Sequence, residues 1–256
     1  MSVETVGRLN PIIETLRGAS GRVHKVLIQE ERGPYRIAEV IRLAKERGIP
    51  LHFVPKRKLD LMAPGHQGAV IILAAREFTP VEDILAGSRK PFLVLLDEIE
   101  DPQNLGAIIR SAECAGADGI ILPEWRSAGV TEAVMQVSAG AAEHLKIARV
   151  TNLARTMDEL KQKDLWFVGA EGGQKGLWYE FDYTMPVGIV LGSEGRGLRR
   201  LVREKCDQVL SIPLLGRVNS LNVAAAAAVF FFEVARQRLF SSQREPGRGA
   251  VGDKPV

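Results

Sequence analysis

Three segments of this 256-residue chain place glycine, amide, hydroxyl and charged groups where a ligand could be gripped. The first, residues 97–116 (DEIEDPQNLGAIIRSAECAG), turns at Asp101-Pro102. It offers Asn104 as a helix cap and Gly106 as a point of close backbone approach. Arg110 lies six residues beyond Asn104, turned away from the apolar side formed by Ile108, Ile109 and Ala112. The second, residues 190–200 (VLGSEGRGLRR), holds Glu194 in a flexible loop, where its carboxylate could meet a ligand hydroxyl or a cation. Its glycines run G-x-x-G-x-G rather than G-x-G-x-x-G, and no Lys-Ser/Thr pair follows. A dinucleotide fold and a P-loop are therefore excluded. The third, residues 212–233, sets Asn219, Ser220 and Asn222 just before a run of alanines. Capping the coming helix explains one of those three polar residues, not all of them. Taken singly, Arg110 reads as a surface charge and the second loop as a glycine turn.

These segments need a scaffold, and the hydrophobic pattern supplies one. Apolar runs at 92–97, 119–123, 146–150, 165–170, 187–192 and 208–213 alternate with helical patterns at 105–116, 131–145, 153–164, 198–205 and 221–240. Strands that are apolar throughout and separated by helices predict a parallel sheet covered on both faces. In such sheets ligands bind at the carboxyl ends of strands, where all three segments fall. A separate unit precedes them: a helix from Asn10-Pro11, a strand over 23–29, a helix over 36–47 closed by Gly48, then strands over 51–54 and 70–74. The segment PKRKLDLMAPGHQG between those last two strands reads as basic and turn-rich. The expected organisation is a small α/β unit over 1–76, a linker over 77–90, a larger α/β domain over 91–240, and a disordered polar tail over 241–256.

Composition narrows the function. Apolar residues at 46% and charged residues at 25% fit a globular protein. The longest apolar run, Val223 to Phe232, is far shorter than the roughly 20 residues of a membrane span, and the first residues lack a secretory pattern. Cys114 and Cys206 stand alone, and the four histidines are scattered, which argues against a disulfide scaffold or a structural metal site. The chain reads as soluble and cytoplasmic. Its net charge of +3 hides a division: +6 over residues 1–76, −4 over 77–240 and +1 beyond. A basic front unit suits a polyanion, with Arg22, Lys25, Lys56, Arg57 and Lys58 as candidate phosphate contacts.

Together, DPQNLGAIIRSAECAG, LGSEGRGL and IPLLGRVNSLNVAAAAA resemble the three motifs of the SpoU (TrmH-type) branch of the SPOUT RNA methyltransferases. The front unit resembles the ribosomal-protein-like RNA-binding module of the 23S rRNA (guanosine-2′-O-)-methyltransferases of that family. Ala224, where relatives often carry serine, and Asn219, at a variable position, depart from the pattern. The resemblance implies a parallel sheet with a deep C-terminal trefoil knot, a homodimer, and methyl transfer from S-adenosylmethionine to a ribose 2′-hydroxyl without a metal. It implies that Gly192, Gly197, Ile212 and Leu221 hold the cofactor. Asn104, Arg110, Glu194, Ser220 and Asn222 would form the ribose and phosphate site, with Arg110 as proton acceptor or as stabiliser of the forming alkoxide. The alternatives are a tRNA ribose methyltransferase of the same superfamily, an inactive RNA-binding or ribosome-assembly protein, and a self-protection enzyme acting at another nucleotide.

Overall fold

The computed structural model describes residues 3–18, 22–30, 36–74 and 78–244. The front unit is a four-stranded sheet in the order β1-β4-β2-β3, built from β1 (Val3–Val6), β2 (Val23–Gln29), β3 (Leu51–Val54) and β4 (Ala69–Ala74). β2 and β3 run parallel, while β4 is antiparallel to both β1 and β2. Helices α1 (Leu9–Arg17) and α2 (Ile37–Glu46) cover one face through Ile12, Ile13, Leu16, Val40 and Leu43. Gly48 takes a φ of +65° just past α2, as its place at the helix end requires.

Two elements depart from the expected pattern here. β1 is a four-residue strand defined by its partner β4, not by its own composition. The basic stretch forms a helix, α3 (Lys56–Met62), anchored by buried Leu59. One buried residue in seven is too weak a period to read. α1 begins at Leu9, one residue before the expected cap, with Arg8 at the N-cap position.

The larger unit is a six-stranded, wholly parallel sheet in the order β10-β8-β9-β5-β6-β7. Its strands are β5 (Phe92–Asp97), β6 (Gly119–Pro123), β7 (Lys146–Val150), β8 (Trp166–Ala170), β9 (Val187–Gly192) and β10 (Gln208–Leu210). α4 (Val81–Leu85) lies in the stretch read as a linker. Every residue of β5, β6 and β9 is buried, because helices cover both faces. Phe92, Val94 and Leu96 pack with α5 (Pro102–Cys114) and with Phe230 and Phe231 of α9 (Val223–Arg244). Leu93 and Leu95 face the other way, toward α7 (Leu153–Lys161) and α8 (Arg200–Lys205).

The helix expected over 131–145 is interrupted. α6 (Glu132–Val137) ends early, and Gly140 turns the chain at a φ of +89° into a 3-10 turn over Ala141–Glu143. A Cβ on Gly140 would lie 2.5 Å from the Glu14 side chain, so the break lets α1 dock. β10 is three residues long rather than six. α9 continues through Arg244, past the expected start of the tail, and residues 245–256 lie outside the described residues.

Polar ties join the two units. Arg22 donates to the Glu143 carboxylate at 3.2 Å and to the Ala74 carbonyl at 2.9 Å, and His144 meets Glu14 at 3.2 Å. The Glu143 side chain is 1% exposed, so removing Arg22 would strip a buried carboxylate of a guanidinium partner.

Candidate active site

The loops that follow β8, β9 and β10 enclose a cavity of about 480 Å³ at the carboxyl ends of the strands, within the usual size of a small-molecule site. Gly192, Gly197, Ile212 and Leu221 all line it, together with Glu194 and Ser220. The glycines have reasons of their own. A Cβ on Gly192 would stand 2.2 Å from the carbonyl carbon of Gly197, because the loop bridges back from Ser193 to Gly197. Gly197 has a φ of +67°, and a Cβ there would meet the Glu171 carboxylate at 2.8 Å. Both positions therefore shape the loop first; any contact with a ligand is through its backbone.

At the mouth of the cavity three expected residues meet. The Asn222 side-chain amide donates to Glu194 Oε1 at 2.6 Å and to Asn104 Oδ1 at 2.8 Å. Its carbonyl oxygen accepts from the backbone N–H groups of Ala224 and Ala225 at 3.0 and 3.3 Å. Asn222 is thus the N-cap of α9 and the hub of the cluster. Glu194 also accepts from Val223 N at 3.2 Å, so a carboxylate sits at the positive end of a 22-residue helix. The order NSLN explains the arrangement: one asparagine caps, while Ser220 remains exposed on the cavity wall.

Asn104 does not cap α5. Asp101 does so, accepting from Gln103 N at 3.0 Å, and Asn104 sits buried inside the first turn, facing Asn222. The expected close approach at Gly106 is to α6, where a Cβ would lie 2.6 Å from Val137. Arg110 is exposed on α5, roughly 9 Å farther along the axis than Asn104. It lines neither the cavity nor the smaller hollow around Asn104 and Glu194. Arg22 is spent on Glu143, whereas Lys25, Lys56, Arg57 and Lys58 are exposed on β2 and α3.

The cavity also contains residues that no motif signalled. Glu171 follows β8 and is fixed by Arg203 at 2.8 Å and by Gln174 at 3.3 Å; Gly172 and Gly173 lie beside it. The signal available was a glycine pair directly after a buried strand. Neither cysteine is poised for thiolate chemistry. Burial pushes the Cys206 thiol up to about 12, and partial burial followed by the Glu113 charge raises that of the surface Cys114. Among the described residues, no cluster of three or more His, Cys, Asp or Glu has the arrangement of a metal site. No described helix is long and apolar enough to cross a membrane.

A wholly parallel sheet, with a cavity and a polar amide–carboxylate cluster at its carboxyl edge, defines an α/β protein with an open ligand-sized site. Similarity to known proteins specifies which. Residues 91–232 match the model of the SpoU rRNA Methylase family, and residues 9–79 match that for RNA 2′-O ribose methyltransferase substrate binding. The Bacillus subtilis protein YacO, named for the TrmH family of tRNA/rRNA methyltransferases, is 42% identical over 234 residues, covering 90% of this chain and 94% of that one. A Staphylococcus saprophyticus protein named for the same family is 41% identical, covering 84% and 89%. The SpoU methyltransferase AviRb of Streptomyces viridochromogenes, solved in complex with AdoMet, superposes with a TM-score of 0.78 at 27% identity, covering 93% and 91%. The chain belongs to the SpoU/TrmH family of RNA methyltransferases, and its α/β parallel-sheet fold is that of the SPOUT methyltransferases.

Proposed function

We propose that this chain methylates a ribose 2′-hydroxyl of RNA from S-adenosylmethionine, with a guanosine of 23S rRNA as its target. The observation that carries the proposal is the Asn222 amide bridging Glu194 and Asn104 at the mouth of the cavity. A carboxylate and two amides fixed in this way suit recognition of a sugar hydroxyl.

The cavity suits the cofactor chemically. Leu191, Ile212, Leu221 and Phe230 offer apolar surface to an adenine, and Glu171, although paired with Arg203, stands on the same wall with a carboxylate oxygen for a cationic group. When bound, S-adenosylmethionine supplies an electrophilic methyl group on a cationic sulfur. The protein's own part is positioning and charge. Glu194, oriented by Asn222 and the start of α9 through Oε1, accepts a hydrogen bond from the ribose hydroxyl at Oε2 and takes up its proton as the methyl group is transferred. Ser220 and Asn104 fix the sugar. The Arg110 guanidinium stabilises the negative charge developing on the ribose oxygen while gripping a phosphate.

Because Arg110 lies outside the cavity of its own chain, this role requires a second copy to supply it, which is the homodimer. Phe232, Leu239 and Phe240, exposed along α9, give that dimer apolar surface to bury. The trefoil knot belongs to the same reading. It is supported by α9 returning from edge strand β10 to pack on α5, near the middle of the sheet. A cytoplasmic location, where its RNA would be met, is part of the reading too, as is a division into a substrate unit over 1–76 and a catalytic domain over 91–240.

In this reading the front unit holds RNA through Lys25 and the Lys56-Arg57-Lys58 turn. Three cations opening a helix oppose its dipole, a local cost that phosphate binding would offset. Replacing Lys56, Arg57 and Lys58 by alanine should weaken RNA binding and reduce the slope of log affinity against log salt by roughly 2–3. Filter binding over a salt series measures it; an unchanged slope removes these residues from the interface.

The reading itself is tested by transfer of labelled methyl to 23S rRNA from cells lacking its 2′-O-methyl marks, with tRNA in parallel. Label in a single guanosine of 23S rRNA is expected. Transfer to tRNA alone would favour the second reading, since YacO and its Staphylococcus relative are named for both substrates.

A further inference from the structure

The cavity continues across the sheet. A hollow of about 180 Å³ adjoins it, sharing Glu194 and Arg196, and carries Asn104 and Glu98 on its wall. Beyond Glu98 opens a cleft of about 400 Å³ at the ends of β5, β6 and β7. The three lie in series as a trough along the carboxyl edge, the cavity and hollow sharing Glu194 and Arg196, and the hollow and far cleft meeting at buried Glu98. The last part has no role in the site described above.

Its wall joins an aromatic ring to cations. Trp125 is 77% exposed, an unusual position for so large an apolar surface. Arg126, Arg199 and Arg200 line the cleft against one carboxylate, Glu98. That carboxylate is buried and lies 3.2 Å from Arg126, 3.7 Å from Arg199 and 4.0 Å from Arg196. Buried Asp97 holds Arg199 a second time at 2.6 Å. Arg126 and Arg196 are anchored at one end yet remain about 70% exposed. A guanidinium has five donors, so Glu98 and Asp97 together cannot occupy those of Arg126, Arg196 and Arg199; Arg200 pairs with Glu204 at 2.8 Å yet remains exposed. Glu98 and Arg126 both sit in the left-handed region, at φ of 61° and 56°, so the fold bears a backbone cost to keep this pair in place.

We propose that this cleft receives the unpaired RNA nucleotide adjoining the methylated one, with its base stacked on Trp125 and its phosphates held by Arg126 and Arg200. The inference rests on the reading that the chain methylates RNA, and it names the part of the substrate that reading leaves unplaced. A planar face beside several cations is what a single-stranded nucleotide requires. Continuity with the Asn104–Glu194 cluster puts it next to the reacting ribose. Recognition by stacking and phosphate contact would favour an unpaired target over a duplex.

The test compares wild type, Trp125→Ala, Trp125→Phe and Arg126→Ala in methyl transfer to 23S rRNA, alongside calorimetric titration with S-adenosylmethionine. Trp125→Ala should raise the KM for RNA about tenfold and Arg126→Ala several-fold, with cofactor affinity unchanged and Trp125→Phe recovering most of the loss. Oligoadenylate should quench the tryptophan fluorescence of wild type and much less that of Trp125→Phe. An unchanged KM for Trp125→Ala, with wild type active, overturns the inference and leaves the methyltransferase reading standing; a cleft that serves a protein partner would give that result. Absence of transfer by wild type to any RNA overturns both.

Discussion

Gly192→Ala is expected to remove cofactor binding and to lower the melting temperature by about 10 °C. The new Cβ would lie 2.2 Å from the carbonyl carbon of Gly197, 2.3 Å from its oxygen and 2.5 Å from Leu198 N. All three are backbone atoms, so no side-chain rotation relieves the clash. The loop over 193–197 has to lift away from β9, and with it go Ser193, Glu194, Arg196 and Gly197 of the cavity wall. Overpacking against rigid backbone costs about 3 kcal/mol, and for a chain of this size that is roughly 6–12 °C. Gly195→Ala provides the contrast. Gly195 has a φ of +81°, but a methyl group there would meet nothing within 4 Å, so only the backbone penalty of roughly 1–2 kcal/mol applies. Thermal melts followed by circular dichroism, with calorimetric titration of S-adenosylmethionine, measure both effects. A Gly192→Ala protein as stable as wild type would show that the loop does not close over β9 in this way.

Asn222→Ala should lower turnover about a hundredfold while costing only about 1 kcal/mol of stability. The stability loss is that of an N-cap, since Asn222 accepts from Ala224 N and Ala225 N at the start of α9. The larger effect falls on chemistry. Without the amide, Glu194 keeps one hydrogen bond, to Val223 N, and Asn104 loses its partner. Under the proposed function, a carboxylate free to rotate no longer holds the hydroxyl in line, and losing one fixed polar contact of this kind costs about 10²–10³ in rate. Asn222→Ser separates the roles: serine caps well but cannot reach both partners, so stability should return and turnover should not. Glu194→Gln combined with Asn222→Ala should be far from additive, because both changes remove one interaction. Steady-state kinetics and melts of Asn222→Ala, Asn222→Ser, Glu194→Gln and the double variant decide it. Full activity in Asn222→Ala would leave the cluster a purely structural cap.

Much of the larger domain was legible in the sequence. β5, β6 and β9 have the bounds that their apolar runs predict, because a strand buried on both faces needs an unbroken run and ends where it stops; edge strand β7 keeps its expected bounds too. The three motif segments converge on one trough, as their places after strands require. Pairings across long stretches of chain were not legible. Asn104 looks like a cap locally, but Asp101 takes that duty, and Asn104 is committed to a partner 118 residues away. Arg22 looks like a phosphate contact until Glu143, 121 residues on, neutralises it. The helix read through 131–145 breaks because α1, from the other unit, must dock at Gly140. In each case tertiary contact overrides a sound local preference. Glu171 was missed for a different reason: it belongs to no motif and enters the site only because the loop after β8 folds over Gly197.

Under the proposed function, the trough presents a ribose hydroxyl, not a base, to the methyl donor. Alkaline hydrolysis of RNA labelled by the wild-type protein distinguishes the two. Cleavage by alkali requires a free 2′-hydroxyl, so a 2′-O-methyl group leaves its own linkage intact. The label should therefore be recovered in one alkali-stable dinucleotide. Label released in mononucleotides would mean methylation of a base, and would contradict the roles given to Asn222, Glu194 and Asn104.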